Sequence, residues 1–170
     1  MDKKKPVSLI LIMLYVIMII LLPISVHAWQ TPILQSWWLA DSGKHLDWGG
    51  STTYQVQFNT AVATWNNYKN GVIRQDSIFT IEDVTLSDVN NGANNIYATT
   101  YSSRKIQFNT GMMNNRTMQQ ITNTCLHELG HALGLDHRSE SNTIMYNYGT
   151  SLTSLSAEDK ISYDYSYTRF

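Results

Sequence analysis

His127, Glu128, His131, Gly134 and His137 stand at the spacing H-E-x-x-H-x-x-G-x-x-H, and this run constrains the fold more than any other stretch of the chain. His127 and His131 are four residues apart, so on a helix both imidazoles leave the same face. Glu128 neighbours that face without being forced to share its direction. A third imidazole reaches the same point only if the helix stops and the chain turns back before His137. Gly134 permits that stop, because glycine takes the left-handed conformation that ends helices. Three neutral imidazoles suit tetrahedral Zn²⁺ and leave a fourth position open. Five specified residues arise by chance in a chain of this size with a frequency on the order of 10⁻⁴ or less. Cys125, Leu126, Leu129 and Leu133 fall on the opposite face, which gives the helix one dry side and one metal side.

The remainder of the 170 residues fits a single domain. Twelve basic and thirteen acidic side chains give a net charge of −1, which excludes a strongly basic nucleic-acid binder. With 43% hydrophobic and 15% charged residues, the chain is too apolar to be disordered. Cys125 is the single cysteine, so no internal disulfide forms.

Residues 1–28 have a different character. Lys3, Lys4 and Lys5 precede an apolar run over residues 7–22, Pro23 ends it, and Val26-His27-Ala28 offers a cut after Ala28. This is the three-part pattern of a secretory signal peptide, and the length of the run also admits a retained anchor. Either reading sends residues 29–170 outside the cell, secreted or held at the cell surface, with membrane contact only if the segment stays uncleaved. That part keeps nine basic and twelve acidic side chains, a net of −3, and implies no charged partner.

Local signals outline the rest. Asp41-Ser42-Gly43-Lys44 reads as a turn. Thr52 with Gln55 forms a capping-box pattern, and Tyr54, Phe58, Ala61, Val62 and Trp65 follow at helical spacing until Asn66, Asn67, Asn70 and Gly71. Residues 78–86 alternate like a strand, 90–95 form a polar loop, and 96–101 and 105–108 are short β-prone runs. Thr117 and Gln120 open the metal-binding helix with a second capping box. A last helix starts after Ser156, with Ile161 and Tyr165 on one face.

The zinc motif, Thr143-Ile144-Met145-Tyr146 eight residues after His137, and Leu155-Ser156-Ala157-Glu158-Asp159 together resemble the metzincin zinc endopeptidases, in particular their matrixin-like branch. The resemblance implies an α+β fold. Its twisted, mostly parallel sheet of about five strands would carry an antiparallel edge strand, with a zinc helix and a C-terminal helix against it. It implies hydrolysis of peptide bonds in proteins or peptides, with His127, His131 and His137 on one catalytic Zn²⁺ and Glu128 as general base. Met145 would support the ligands from below without binding the metal. The edge over residues 95–100, with Ile96 and Ala98, would pair with an extended substrate. Tyr146, Asn147 and Tyr148 would wall the pocket beside the cut.

This chain also departs from that family. Asn147 stands where a proline commonly follows the Met-Tyr pair, which leaves the pocket's shape open. Cys125 lies inside the zinc helix, so cysteine-switch latency is not expected. His27 and His45 are the only other histidines, too few for a second zinc; no calcium loop is evident, although isolated carboxylates could still supply a calcium site. A monomer is expected, with no nucleic-acid partner. The other class that fits the motif is a non-catalytic zinc-containing extracellular binding or adhesion module. Glu128 argues against it, because zinc binding alone does not need that carboxylate. Asp136 reads either as a partner that orients a ligand imidazole or as a solvated turn residue. Asn115-Arg116-Thr117 fits a glycosylation sequon and equally a loop before the helix.

Overall fold

The computed structural model describes residues 31–170. The targeting segment expected over residues 1–28, and the cut before Trp29, lie outside the described residues. Among the described residues no helix is long and apolar enough to cross a membrane.

The elements run β1 (Leu46–Gly50), α1 (Gln55–Tyr68), β2 (Ile73–Gln75), β3 (Val84–Val89), β4 (Ala98–Tyr101), β5 (Lys105–Asn109), a short α2 (Thr110–Met113), α3 (Met118–Ala132) and α4 (Ala157–Tyr167). Five strands form one sheet in the order β2-β1-β3-β5-β4. All neighbours are parallel except β4 and β5. This is the α+β architecture that the family resemblance implies: a mostly parallel sheet, an antiparallel edge strand, a motif-bearing helix and a C-terminal helix.

The strand alternation explains how the sheet meets the helices. Leu46 and Trp48 on β1, Val84 and Leu86 on β3, and Ile106 and Phe108 on β5 are all buried. These side chains share one face, since residues two apart on a strand point the same way. That face receives α1. The Phe58 ring packs edge-on against Trp48 at 5.1 Å and Phe108 at 6.2 Å between centroids. Trp65, one helical stripe further on, donates from Nε1 to the Leu126 carbonyl of α3 at 3.1 Å. It also meets Tyr163 of α4 edge-on at 5.3 Å. One tryptophan therefore ties three helices together.

Three local expectations are corrected. Thr52 does not cap α1. Its hydroxyl donates to Asp88 Oδ1 at 2.5 Å, Thr53 N donates to Asp88 Oδ2 at 2.7 Å, and the cap position is Tyr54, whose side chain makes no cap bond. A carboxylate from β3 thus anchors the residues just before the helix, and no side chain caps it. Residues 78–83 are not strand; pairing begins at Val84, opposite Trp48. Thr80 donates to Asp76 Oδ1 and its amide to the Ser77 carbonyl, so side-chain and turn bonds bend the segment away. β1 already has β2 and β3 as neighbours, and Ile78, Phe79 and Ile81 are left exposed. On α4 the buried face is Asp159, Ser162, Tyr163 and Ser166, while Tyr165 is exposed and Ile161 half-buried.

Candidate metal centre

The helix that carries the motif is closed at both ends by its own sequence. At its start, Thr117 Oγ1 accepts from Gln120 N at 3.3 Å and Thr117 N donates to Gln120 Oε1 at 3.1 Å, the capping box expected there. At its end Gly134 has φ +86°. Gly134 N donates to His131 O and Leu135 N to Gly130 O, each at 2.9 Å. These two bonds form a Schellman motif, which satisfies the last carbonyls and reverses the chain. Cys125, Leu126, Leu129 and Leu133 are fully buried on the far side, and burial pushes the Cys125 thiol far up, so it is inert.

The reversal brings the three imidazoles together. His137 Nε2 lies 3.1 Å from His131 Nε2 and 3.1 Å from His127 Nε2. Ligand nitrogens at ~2.0–2.1 Å from a tetrahedral ion stand about 3.4 Å apart, so this triangle is of the right size. The outer nitrogens settle the tautomers. His127 Nδ1 lies 2.9 Å from Ile144 O, and His131 Nδ1 lies 2.9 Å from Leu135 O. Carbonyl oxygens only accept, so both Nδ1 atoms carry the proton and both Nε2 atoms present a lone pair. Burial lowers His127 and His131 to about 4, which keeps them neutral and ready to ligate near pH 7. These two lone pairs converge with the His137 ring nitrogen on one point, an arrangement that suits a cation. The donor set fits zinc.

Glu128 is buried beside them. Thr100 Oγ1 on β4 approaches both its carboxylate, at 2.7 Å from Oε2, and its own carbonyl, at 2.9 Å. Burial raises the pKa of the carboxyl, while the neighbouring His131 ring and the Thr100 hydrogen bond oppose the rise.

Met145 is buried against Gly130, on the turn of α3 between the first two histidines. Arg138 N donates to Met145 O at 2.7 Å, which fastens this segment to the chain just past His137. Asp159 holds it from α4: its carboxylate accepts from Ile144 N at 2.9 Å, Met145 N at 3.3 Å and Ser156 N at 2.9 Å. The segment around Met145 thus also supplies the Ile144 carbonyl that orients His127.

A cleft of about 470 Å³ opens over the histidines. Ile96, Ala98, Tyr146, Asn147 and Tyr148, all expected to meet substrate, line it. The edge strand spans Ala98–Tyr101 rather than residues 95–100, and Asn95, Ile96 and Tyr97 lead into it along the same wall. The Tyr146 and Tyr148 rings pack on each other at 5.5 Å. Asp136 Oδ1 accepts from the His137 backbone N at 2.8 Å, so it shapes the turn and reaches no ligand ring.

Sequence reasoning missed three residues. Thr100 carried no signal, because its contact depends on how β4 crosses α3. Asp159 was visible as Ser156-x-x-Asp159, a capping box that the structure confirms, but its reach to residues 144 and 145 was not. Gln35 gave no signal; its Nε2 position lies 2.8 Å from His131 Nδ1. A second acidic group, Asp41, Asp47 and Asp83, faces arginines: Arg74 binds Asp47 with two bonds of 2.7 Å, and Arg104 lies 3.9 Å from Asp83.

A family model described as Matrixin matches residues 55–168. No curated protein matches the chain. Among solved structures the chain is similar to one titled "GM1 bound form of the ECX AB5 holotoxin". The identity is 14% and the TM-score 0.51, over 74% of this chain and 80% of that one. At that identity the likeness is one of fold.

Proposed function

The chain belongs to the matrixin family of zinc metallopeptidases, and from that premise we propose that it is an exported endopeptidase that cuts extended protein or peptide segments. The observation that carries the reading is the convergence of three imidazoles, two of them held by backbone carbonyls, beside a buried carboxylate in one open cleft. His127, His131 and His137 would hold the ion. Bound zinc supplies Lewis acidity, which lowers the pKa of water toward ~7 and polarises a carbonyl.

The rest of the reaction falls to the protein. Glu128 takes a proton on Oε1, the oxygen that Thr100 leaves free, and delivers it to the leaving amine. Its burial favours the protonated form, so the carboxylate is a stronger base than an exposed glutamate. β4 pairs with β5 on one side only, and its outer edge offers backbone groups to an extended substrate. Tyr146, Asn147 and Tyr148 flank the side chain next to the cut. Met145 and Asp159 keep the floor of the site rigid.

Export and a single catalytic domain over residues 29–170 are part of the proposal. They rest on the three-part pattern of residues 1–28 and on a family match that extends almost to the C-terminus. The test is digestion of a mixed peptide library by the purified protein, with chelator and with zinc restored. Cuts that stop with chelator and return with zinc are expected. Absence of cuts from protein that holds one zinc would favour a zinc-containing binding module instead.

A further inference from the structure

Gln35 belongs to a segment that lies across the end of α3, and its backbone is fixed on both sides. Gln35 N donates to Gly134 O at 2.9 Å, and Gln35 O accepts from Arg169 Nη2 at 2.9 Å. Leu34 bridges to Leu135. The side chain turns into the cleft wall, where one end of its amide meets His131 Nδ1 at 2.8 Å and the other is buried without a partner.

The end that faces the ring is the amide nitrogen, and this is chemically inconsistent with its surroundings. His131 Nδ1 also lies 2.9 Å from Leu135 O. A carbonyl accepts and never donates, so Nδ1 carries the proton. An amide NH₂ facing an imidazole N–H opposes two donors. The two ends of the amide have the same shape, and a half-turn exchanges them without moving another atom. One end lacks a partner in either orientation; only the turned orientation avoids opposed donors.

We infer that Gln35 is a positioning residue for the metal centre: its side-chain oxygen shares the His131 Nδ1 proton with Leu135 O and so aims Nε2 at the ion. The inference rests on the zinc reading above. It gives His131 two acceptors on its outer nitrogen, where His127 has Ile144 O alone. Two acceptors fix the ring's rotation as well as its tautomer. They also enrich the ring in electron density, which strengthens the bond from Nε2 to a cation. The consequence is structural as well as chemical: the segment before β1 becomes part of the metal site, although the motif lies almost a hundred residues away in sequence.

The experiment is zinc affinity by competition with a chromophoric chelator, on wild-type protein, Gln35→Glu and Gln35→Met. Glutamate keeps an acceptor in place; methionine keeps the length and bulk without one. Melting temperatures of the zinc-free proteins report folding separately. The expected result is a loss of 10–100-fold in zinc affinity for Gln35→Met, with Gln35→Glu within a few-fold of wild type. Methionine binding zinc like wild type would overturn the inference, and so would glutamate failing as badly as methionine, because packing alone would then explain the site. Wild-type protein that binds no zinc would instead overturn the reading beneath it. Should a variant fold poorly, wild type carries the test by itself. A weak nuclear Overhauser contact between the His131 Nδ1 proton and the Gln35 NH₂ is expected, and a strong one would refute the orientation.

Discussion

The Thr100 hydroxyl on the edge strand donates to the Glu128 carboxylate at 2.7 Å, so the strand proposed to pair with substrate and the carboxylate proposed as base are joined by one hydrogen bond. Removing the hydroxyl leaves a buried carboxylate with one partner fewer. A hydrogen bond to a charged group is worth about 1.5–3 kcal/mol. Thr100→Val, which keeps the shape, is therefore expected to lower kcat/KM by about 10–100-fold, with zinc content unchanged. Steady-state kinetics beside metal analysis checks both halves.

Asp159 is fully buried and accepts from three backbone amides, two of them at Ile144 and Met145. Asp159→Ala orphans those amides and frees the carbonyl that orients His127. A loss of about 3 kcal/mol in stability is expected, together with weaker zinc binding. Denaturant unfolding with and without zinc measures the two effects on the same samples. A stability change under about 0.5 kcal/mol would mean that surface-like tolerance holds there after all.

At Gly130 two principles oppose each other. Alanine in a helix interior gains about 1 kcal/mol over glycine. Here the added methyl meets the Met145 sulfur and lies 3.4 Å from the Trp65 ring, and overpacking costs about 1–3 kcal/mol. The collision is expected to win, so Gly130→Ala should melt lower than wild type. A second change, Met145→Ala in the same chain, should recover part of the loss by making room.

The helix signals were the legible part of this sequence. The capping box of Thr117 and Gln120, the stop at Gly134 and the dry face of Cys125, Leu126, Leu129 and Leu133 are all local patterns, and the structure bears each one out. The family resemblance supplied the sheet. Reading failed where a distant group intervened. Tyr54 holds the cap position expected of Thr52, whose hydroxyl turns to Asp88, turn bonds among Asp76, Ser77 and Thr80 leave residues 78–83 unpaired, and packing against Trp65 chose Tyr163 over Tyr165 for the core. In the site, the candidate metal ligands are encoded by local spacing, two along one helix and the third just past the Gly134 turn that ends it. Thr100, Asp159 and Gln35 act across chain separations that no local pattern records.

Far from the cleft, Tyr68 donates to Asp164 Oδ2 at 2.7 Å and Lys69 lies 2.6 Å from Asp164 Oδ1. Burial and the bond to Asp164 push the Tyr68 phenol up to about 12. Burial pulls Asp164 upward, but the bonds from Lys69 and Tyr68 outweigh it and leave its carboxyl lowered. A raised tyrosine stabilises the fold fully below its unfolded value of about 10 and loses that effect as pH climbs through about 12. A lowered aspartate stabilises above the usual carboxylate range and loses the effect as pH falls through its folded value. The groups are partly exposed, so about 1 kcal/mol or less is at stake. Melting curves of wild type and Asp164→Asn should differ by a constant gap near neutral pH that closes below about pH 4. Phenolate absorbance should show Tyr68 titrating earlier in the variant.

The central claim is that Glu128 does chemistry while the three histidines only hold the ion. Glu128→Gln tests it most directly, by zinc stoichiometry and kcat/KM on one preparation. The account predicts one zinc per chain in both proteins and a fall in kcat/KM of at least about 100-fold in the variant, as expected for loss of a general base. Zinc retained with turnover undiminished would contradict it.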